Sequence, residues 1–329
     1  MRTTTLRTTT ARAALAVLVF TTAGTAGAQS PQSHYPTRPV RWIVPFAAGS
    51  GTDTVARIIQ PQLSAALGEQ VVIDNRPGAA GNLGAQVAAA APADGYTVFM
   101  GISSHSISMT LYRKPGFDIT RDFLPVSMVA TGSFALATHP SLPAKSVKEL
   151  IAFAKKRPGD INVATAGATI RLAAKMFDNM AGTRMTEVTY KGTPQAIAAI
   201  VSGEASVSFP ATSAVIPHAR SGKLRALAVT TPQRSAMAPD IPTVAESGLP
   251  GYDVTTWYGL MVPTGTSKEV VVRVHDAAVK ALANPAVKER FSTTDLEPRS
   301  SSPEEFGAYI RREVVKWAKV IKASGIPIE

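Results

Sequence analysis

From Val40 to Pro263 the chain alternates short apolar runs with longer stretches of helical period, and that rhythm leaves few folds open. It is the pattern of βαβ units and a mainly parallel sheet. The strand candidates are "VRWIVPF", "EQVVIDN", "YTVFMG", "LPVSMVA", "FALATH", "INVATA", "MTEVTY", "ASVSFP", "LRALAVT" and "YGLMVP". Helical patterns fall between them. Thr52 to Leu67 aligns Val55, Ile58, Ile59, Leu63, Ala66 and Leu67 on one face, with Gly68 as a stop and Pro61 expected to bend or break it. Ser146 to Lys156 opens on the capping signature "SVKE", and Pro303 to Ser324 opens on "SSPEEF".

The alternation lapses twice. "DFLPVSMVATGSFALATHPSL" puts two strand-like runs in succession, and "GLPGYDVTTWYGLMVPTG" is an extended, aromatic segment punctuated by Gly and Pro. If the chain leaves one domain at the first lapse and returns at the second, residues 29–130 plus 255–329 form domain 1 and residues 131–254 form domain 2. Two crossing strands then make a hinge.

Residues 1–28 read as a signal peptide. Arg2, Arg7 and Arg12 precede a short apolar core, Ala14 to Phe20, and Ala26-Gly27-Ala28 offers a small-x-small cleavage pattern. The apolar run is far below the roughly 18–20 residues that span a bilayer. The expectation is therefore an exported periplasmic protein. Without those three arginines the formal charge falls from +11 to about +8. Lys and Arg are scattered, without the clustered basic stripe of a nucleic-acid binder, so small anionic ligands suit the charge better than DNA. The chain has no cysteine, which excludes disulfides, thiol catalysis and Cys-ligated metal.

Catalysis is poorly supplied. His34, His105, His139, His218 and His275 show no metal-ligand spacing, and there is no G-x-S-x-G elbow. No metal and no cofactor are expected. A serine hydrolase using Ser103 or Ser104 with His105 is the enzyme alternative, and it ranks last.

Binding is better supplied. A strand ending at Phe46 runs through Ala47, Ala48, Gly49, Ser50 and Gly51 into a helix beginning near Thr52, which places main-chain amides, hydroxyls and a helix N-terminus at a sheet's carboxyl edge. Asp53 in the first turn favours the helix dipole and can hold ordered water or a loop amide. By itself this loop fits a plain tight turn as well as an anion cradle. It lacks the third glycine of a dinucleotide fingerprint, and no Walker A motif occurs. "NRPGAAGNLGA" reads as turn geometry, with Arg76 structural. Ser103 and Ser104, the turn Ala166, Gly167, Ala168 and Thr169, and Arg171 just after it are further candidates. A guanidinium there could pair bidentately with a ligand carboxylate, and a solvated or inter-domain salt bridge fits its placement equally well.

An ordered series of motifs spanning almost the whole mature chain carries a resemblance: "YPTRPVRWIVPFAAGSGTDTVAR", "NRPGAAGNLGA", "ADGYTVFM", "ELIAFAKKRPGDINVATAG", "VTYKGTPQAIAAIVSGE", "GKLRALAVTTPQR", "PDIPTVAESGLPGYD" and "WYGLMVPTGT". The chain resembles the Bug-type (TctC-like) substrate-binding proteins of tripartite tricarboxylate transporters. The resemblance implies a type II periplasmic binding protein fold, two α/β domains joined by a two-strand hinge. It also implies a monomer that closes on a carboxylate-bearing metabolite and delivers it to membrane permease subunits, with no chemistry on the ligand. Its ligand loops fall on Phe46 to Asp53 and on Ala166 to Thr169. The chain departs from the family where "HLA" becomes Arg171-Leu172-Ala173 and where "PGGG" becomes Ala47-Ala48-Gly49-Ser50. The expected ligand is accordingly a larger acid, an aromatic mono- or dicarboxylate such as terephthalate, with Arg171 on its distal carboxylate and Phe46, Pro210 or Trp257 as apolar walls. The non-enzyme alternative is a periplasmic ligand sensor for a signalling receptor.

Overall fold

The computed structural model describes Met1 and residues 35–329, so the expected signal segment lies, beyond its first residue, outside the described residues. Contacts hold Tyr35–Glu329 together as one unit.

The first run of elements is β1 (Val40–Val44), α1 (Gly51–Leu67), β2 (Val71–Asn75), α2 (Asn82–Ala89), β3 (Thr97–Ile102), α3 (Ser103–Leu111) and β4 (Phe123–Ser133). The middle run is β5 (Ala135–Thr138), α4 (Val147–Lys156), β6 (Asn162–Thr165), α5 (Gly167–Ala181), β7 (Thr186–Thr189), α6 (Thr193–Ser202), β8 (Val207–Ser208), α7 (Thr212–Arg220) and β9 (Arg225–Val229). The chain then returns through β10 (Thr255–Pro263), α8 (Lys268–Ala283), α9 (Pro285–Ser292), β11 (Leu296–Pro298) and α10 (Pro303–Ser324). Two sheets result, one ordered β11-β4-β10-β3-β1-β2 and the other β7-β6-β8-β5-β9.

The sheets are mixed rather than mainly parallel. β1, β2 and β3 are parallel, as are β6, β7 and β8, whereas β10 runs antiparallel to both of its neighbours and β5 to both of its own. The strands linking the two sheets are the ones that break the parallel order. β11 carries no alternating apolar run, only Leu296 buried beside Pro298, so its three residues left no periodic signal.

Helices cover both faces of the first sheet, which is why "VRWIV" is apolar almost throughout. Trp42 and Val44 share a core with Val55, Ile59 and Leu63 of α1 and Val274 of α8, while Ile43 points into a second core with Phe99, Trp257, Phe306 and Ile310. Each fully buried side chain of this size contributes about 1.5 to 3 kcal/mol. α1 passes through Pro61 without a break. Proline lacks the amide that would bond the carbonyl of Arg57, and Arg290 of α9 donates to that carbonyl at 3.1 Å instead.

α10 shows a complete capping box, with Glu305 N donating to Ser302 Oγ at 3.1 Å and Ser302 N to Glu305 Oε2 at 2.9 Å. Its first half, Phe306 and Ile310, packs under the first sheet, but Trp317 and Ile321 enter the core of the second sheet, together with Ile107 and Leu111 of α3. The ends of α3 and α10 thus cross the boundary expected from the strand pattern. An amphipathic helix records which of its faces is apolar and not which sheet that face meets.

Strand register orients the two sheets. Ser133, the end of β4, pairs with Thr255, the start of β10, and Ile102, the end of β3, pairs with Tyr258. The crossover therefore leaves from the carboxyl edge of β3. In the second sheet Ala137 pairs with Ser208, and Ala135 N donates to Pro210 O just past the end of β8. The crossover enters there by the carboxyl edge as well. The loops after β1, β2 and β3 and those after β6, β7 and β8 lie on the two sides of the same crossing strands.

Candidate functional site

The loop after β1 is built as a cradle. Gly49 takes φ +82°, a left-handed conformation that L side chains rarely adopt. Ser50 caps α1 by accepting from Asp53 N at 3.2 Å. Asp53, only 1% exposed, accepts from Gly49 N at 2.9 Å, Asn75 Nδ2 at 3.0 Å and Arg57 Nε at 2.6 Å. Burial alone would raise its pKa, but Arg57, the Gly49 amide and Asn75 together hold it below the usual carboxylate value. Asp53 is thus spent on holding the loop. The amides of Gly51 and Thr52, at the open end of α1, remain for a ligand.

"NRPGAAGNLGA" braces this cradle from behind. Arg76 pairs with Asp74 at 2.9 Å, and Asn75 Nδ2 donates to Phe46 O at 2.9 Å. A Cβ on Gly84 would stand 2.8 Å from Pro45 Cα and 3.0 Å from Arg76 O, so only glycine lets α2 approach the root of the cradle. Gly81, at φ +95°, sits against Phe46 and His105.

His105 is wholly buried and joins α3 to this brace. Its Nδ1 accepts from Ile102 N at 3.1 Å, which leaves the proton on Nε2, 3.2 Å from Gly81 O. Burial outweighs that carbonyl and lowers its pKa from 6.5 to about 4. The ring is a neutral structural link, not a base aimed at Ser103 or Ser104. Ser103 Oγ lies 3.3 Å from Thr256 Oγ1, and Ser104 Oγ donates to Ala80 O at 3.3 Å. The unfolded chain takes up a proton on His105 as pH falls below 6.5, and the folded chain refuses it until about 4. Stability from this group is complete above pH 6.5 and falls by about 3 kcal/mol across that window. Urea unfolding at pH 7 and pH 4 should show the loss in the chain, and a smaller loss in His105→Asn; an equal loss in both would assign it to other groups.

In the second sheet, β6 ends at Thr165 and α5 starts at Gly167 with φ +70°. No side chain caps that end, so the first-turn amides from Gly167 to Thr169 are open. Ala166 is buried, Gly167 exposed, and Ala168 and Thr169 half-buried. Arg171 pairs with Glu187 of β7, Nε to Oε1 at 2.9 Å, yet the approach is off the hydrogen-bond axis and the buried Nε has no true acceptor. Glu187 also accepts from Thr165 Oγ1 at 3.1 Å and faces Lys175 Nζ at 3.6 Å.

Two expected walls are corrected. Trp257 is fully buried, edge-on to Phe306 at 5.4 Å and to Tyr309 at 6.2 Å, because its position in β10 points into the α10 side of the sheet. Pro210 is buried too, its carbonyl bound by Ala135 N. Of the three, Phe46 alone is half-exposed at the cradle. Ala48 and Gly49 are exposed, Ser50 is half-buried, and Thr52 and Ser103 are nearly buried beside it.

Thr256 and Tyr258 of β10 were missed. They alternate with Trp257, so they face the opposite side: Thr256 meets Ser103, and a Cβ on Gly51 would lie 3.7 Å from the Tyr258 hydroxyl. Burial raises the Tyr258 pKa, which keeps that hydroxyl a donor. The period-2 rule applied to "TTWYG" could have separated Tyr258 from Trp257. Among the described residues no group of His, Asp or Glu is placed to hold a metal ion, and no helix is long and apolar enough to cross a membrane.

Residues 55–326 match the family model described as tripartite tricarboxylate transporter family receptor. The chain is 34% identical over 311 residues to Protein BugT of Bordetella pertussis (strain Tohama I), covering 93% of this chain and 95% of that one. Among solved structures it is similar to R. palustris Rpa4515 with adipate, at 34% identity and TM-score 0.73, over 88% of this chain and 98% of the other. It is also similar to the periplasmic binding protein BugD, at 33% identity and TM-score 0.71, over 89% and 99%. The expected fold class, two α/β sheets joined by crossing strands in the manner of the periplasmic binding proteins, is the one observed.

Proposed function

Because the chain belongs to the tripartite tricarboxylate transporter receptor family, we propose that it is a periplasmic receptor that binds a dicarboxylate between its two sheets and hands it to the transporter's permease subunits. The observation that carries this reading is the pairing of uncapped or partly open helix ends, α1 and α3 on one side of the crossing strands and α5 on the other. Helix N-termini present amides and a partial positive charge to anions. One carboxylate would rest on the amides of Gly51 and Thr52 with Ser103, Thr256 and Tyr258 as hydroxyl partners, and the other on the first turn of α5. The adipate in the similar R. palustris structure supports a ligand with a carboxylate at each end.

Residues 131–254 act as the second lobe, and a ligand touching both sides favours the closed arrangement by its differential affinity. Arg171, whose Nε lacks an acceptor on axis, turns from Glu187 to the distal carboxylate. Phe46 supplies an apolar surface for the body of the acid, and terephthalate is the aromatic candidate. Calorimetry of the mature chain against linear and aromatic acids, adipate and terephthalate among them, tests the reading; heat of binding from none of them would overturn it. Arg171→Ala should weaken the bound acid by about ten- to a hundredfold, since hydrogen bonds to charged groups contribute about 1.5 to 3 kcal/mol. Unchanged affinity would leave Arg171 as the structural partner of Glu187.

A further inference from the structure

β7 is an edge strand of the second sheet, parallel to β6, with Val163 opposite Glu187 and Thr165 opposite Thr189. Side chains two apart on a strand share a face, so Glu187 and Thr189 stand together beside Thr165. Arg171 and Lys175, one turn apart on α5, both reach Glu187 from above that face. Two cations thus share one carboxylate.

The two oxygens of that carboxylate are used differently. Oε1 accepts from Thr165 Oγ1 at 3.1 Å and from Thr189 Oγ1 at 3.3 Å, and Arg171 Nε approaches it off axis at 2.9 Å. Oε2 faces Lys175 Nζ at 3.6 Å. When Arg171 leaves, the carboxylate therefore keeps two hydroxyl donors and an ammonium. Without Lys175 it would keep the hydroxyls alone, and a carboxylate whose side chain is only 14% exposed is costly to leave without a counter-charge. It would hold the guanidinium back.

Taking as its basis the reading that Arg171 turns to the distal carboxylate of the ligand, we propose that Lys175 is a positioning residue that determines the preference for acids with a carboxylate at each end. Lys175 neutralises Glu187 and so releases Arg171. Its ammonium is a compact charge on a flexible stem, able to follow Oε2 as the guanidinium departs. With two positive charges against one negative, the trio also carries an unmatched positive charge, which the distal carboxylate completes.

Calorimetry of the mature chain with adipate and with hexanoate, which matches adipate in length and lacks one carboxylate, tests the role. The parent should prefer adipate, and Lys175→Met should lose about tenfold of that preference while its hexanoate affinity stays in place. Methionine keeps the apolar stem, so packing on α5 is conserved. Lys175→Arg should retain the preference, and Lys175→Met/Glu187→Gln should regain it, because no carboxylate then competes for Arg171. A preference for adipate that Lys175→Met keeps would overturn the role of Lys175 and leave the two-ended site standing. A loss shared equally by hexanoate, or one that Glu187→Gln does not restore, would also overturn it, since a residue that merely supports the fold behaves in that way. A parent without preference for adipate, or a preference unchanged in Arg171→Ala, would instead overturn the reading of the distal site, and this inference with it.

Discussion

Trp257→Ala should lower the free energy of unfolding by about 3 to 5 kcal/mol, the cost of emptying a buried tryptophan site that cannot collapse. The indole is fully buried between Phe306, Tyr309 and Met261, and the residues around it belong to β10, β3 and α10. Its Nε1 has no acceptor among the described residues, so Trp257→Phe sheds an unsatisfied donor and should cost less than the alanine change. Urea denaturation of the three chains measures the order. A stability within about 1 kcal/mol of the parent, joined to a lost affinity for the bound acid, would restore Trp257 as a wall of the ligand site.

Asp53→Ala should act on both stability and binding. Three donors, Gly49 N, Asn75 Nδ2 and Arg57 Nε, converge on this one carboxylate, and its removal leaves the cradle loop untied. The expected cost is about 2 to 4 kcal/mol of stability. Affinity for the acid should fall by about tenfold or more, because the amides of Gly51 and Thr52 are aimed by the same loop. Asp53→Asn keeps an acceptor for Gly49 but loses the charge opposite Arg57, and should fall between. The carboxylate's contribution is present above its unfolded pKa of 3.8 and is lost as pH falls through its lowered folded value. Asp53→Asn should therefore start from a lower stability than the parent and lose stability with a shallower slope as the pH is lowered. Full affinity in Asp53→Ala would show that the loop holds its shape without this tie.

The ten strand candidates and the principal helices could be read along the chain because each is a local pattern. Capping residues behave likewise: Ser302 with Glu305, Ser146 with Glu149, and Gly68 at φ +85° act within one turn of their own helix. The cradle loop and the α5 turn were legible too, as small residues between a strand and a helix. Asp53 was expected to hold ordered water or a loop amide, and it holds the amide of Gly49. Distant neighbours left no such local signal. Nothing local tells that Arg290 would supply the donor missing at Pro61, that Arg171 would find Glu187, or that β11 would pair with β4.

Apolar period and turn chemistry are properties of adjacent residues, and by themselves they determined an alternating α/β chain with two interruptions and glycine-rich loops at strand ends. Which side of β10 carries Trp257 and which carries Tyr258, and that α10 serves both cores, depended on how the helices pack against the sheets. That choice is made by shape and burial between segments far apart in the chain, as in the 3.3 Å approach of Ser103 to Thr256 across 153 residues. Side-chain partners of this kind are settled only when the layers meet, because each candidate arginine or tryptophan has several chemically equal partners until packing excludes all but one.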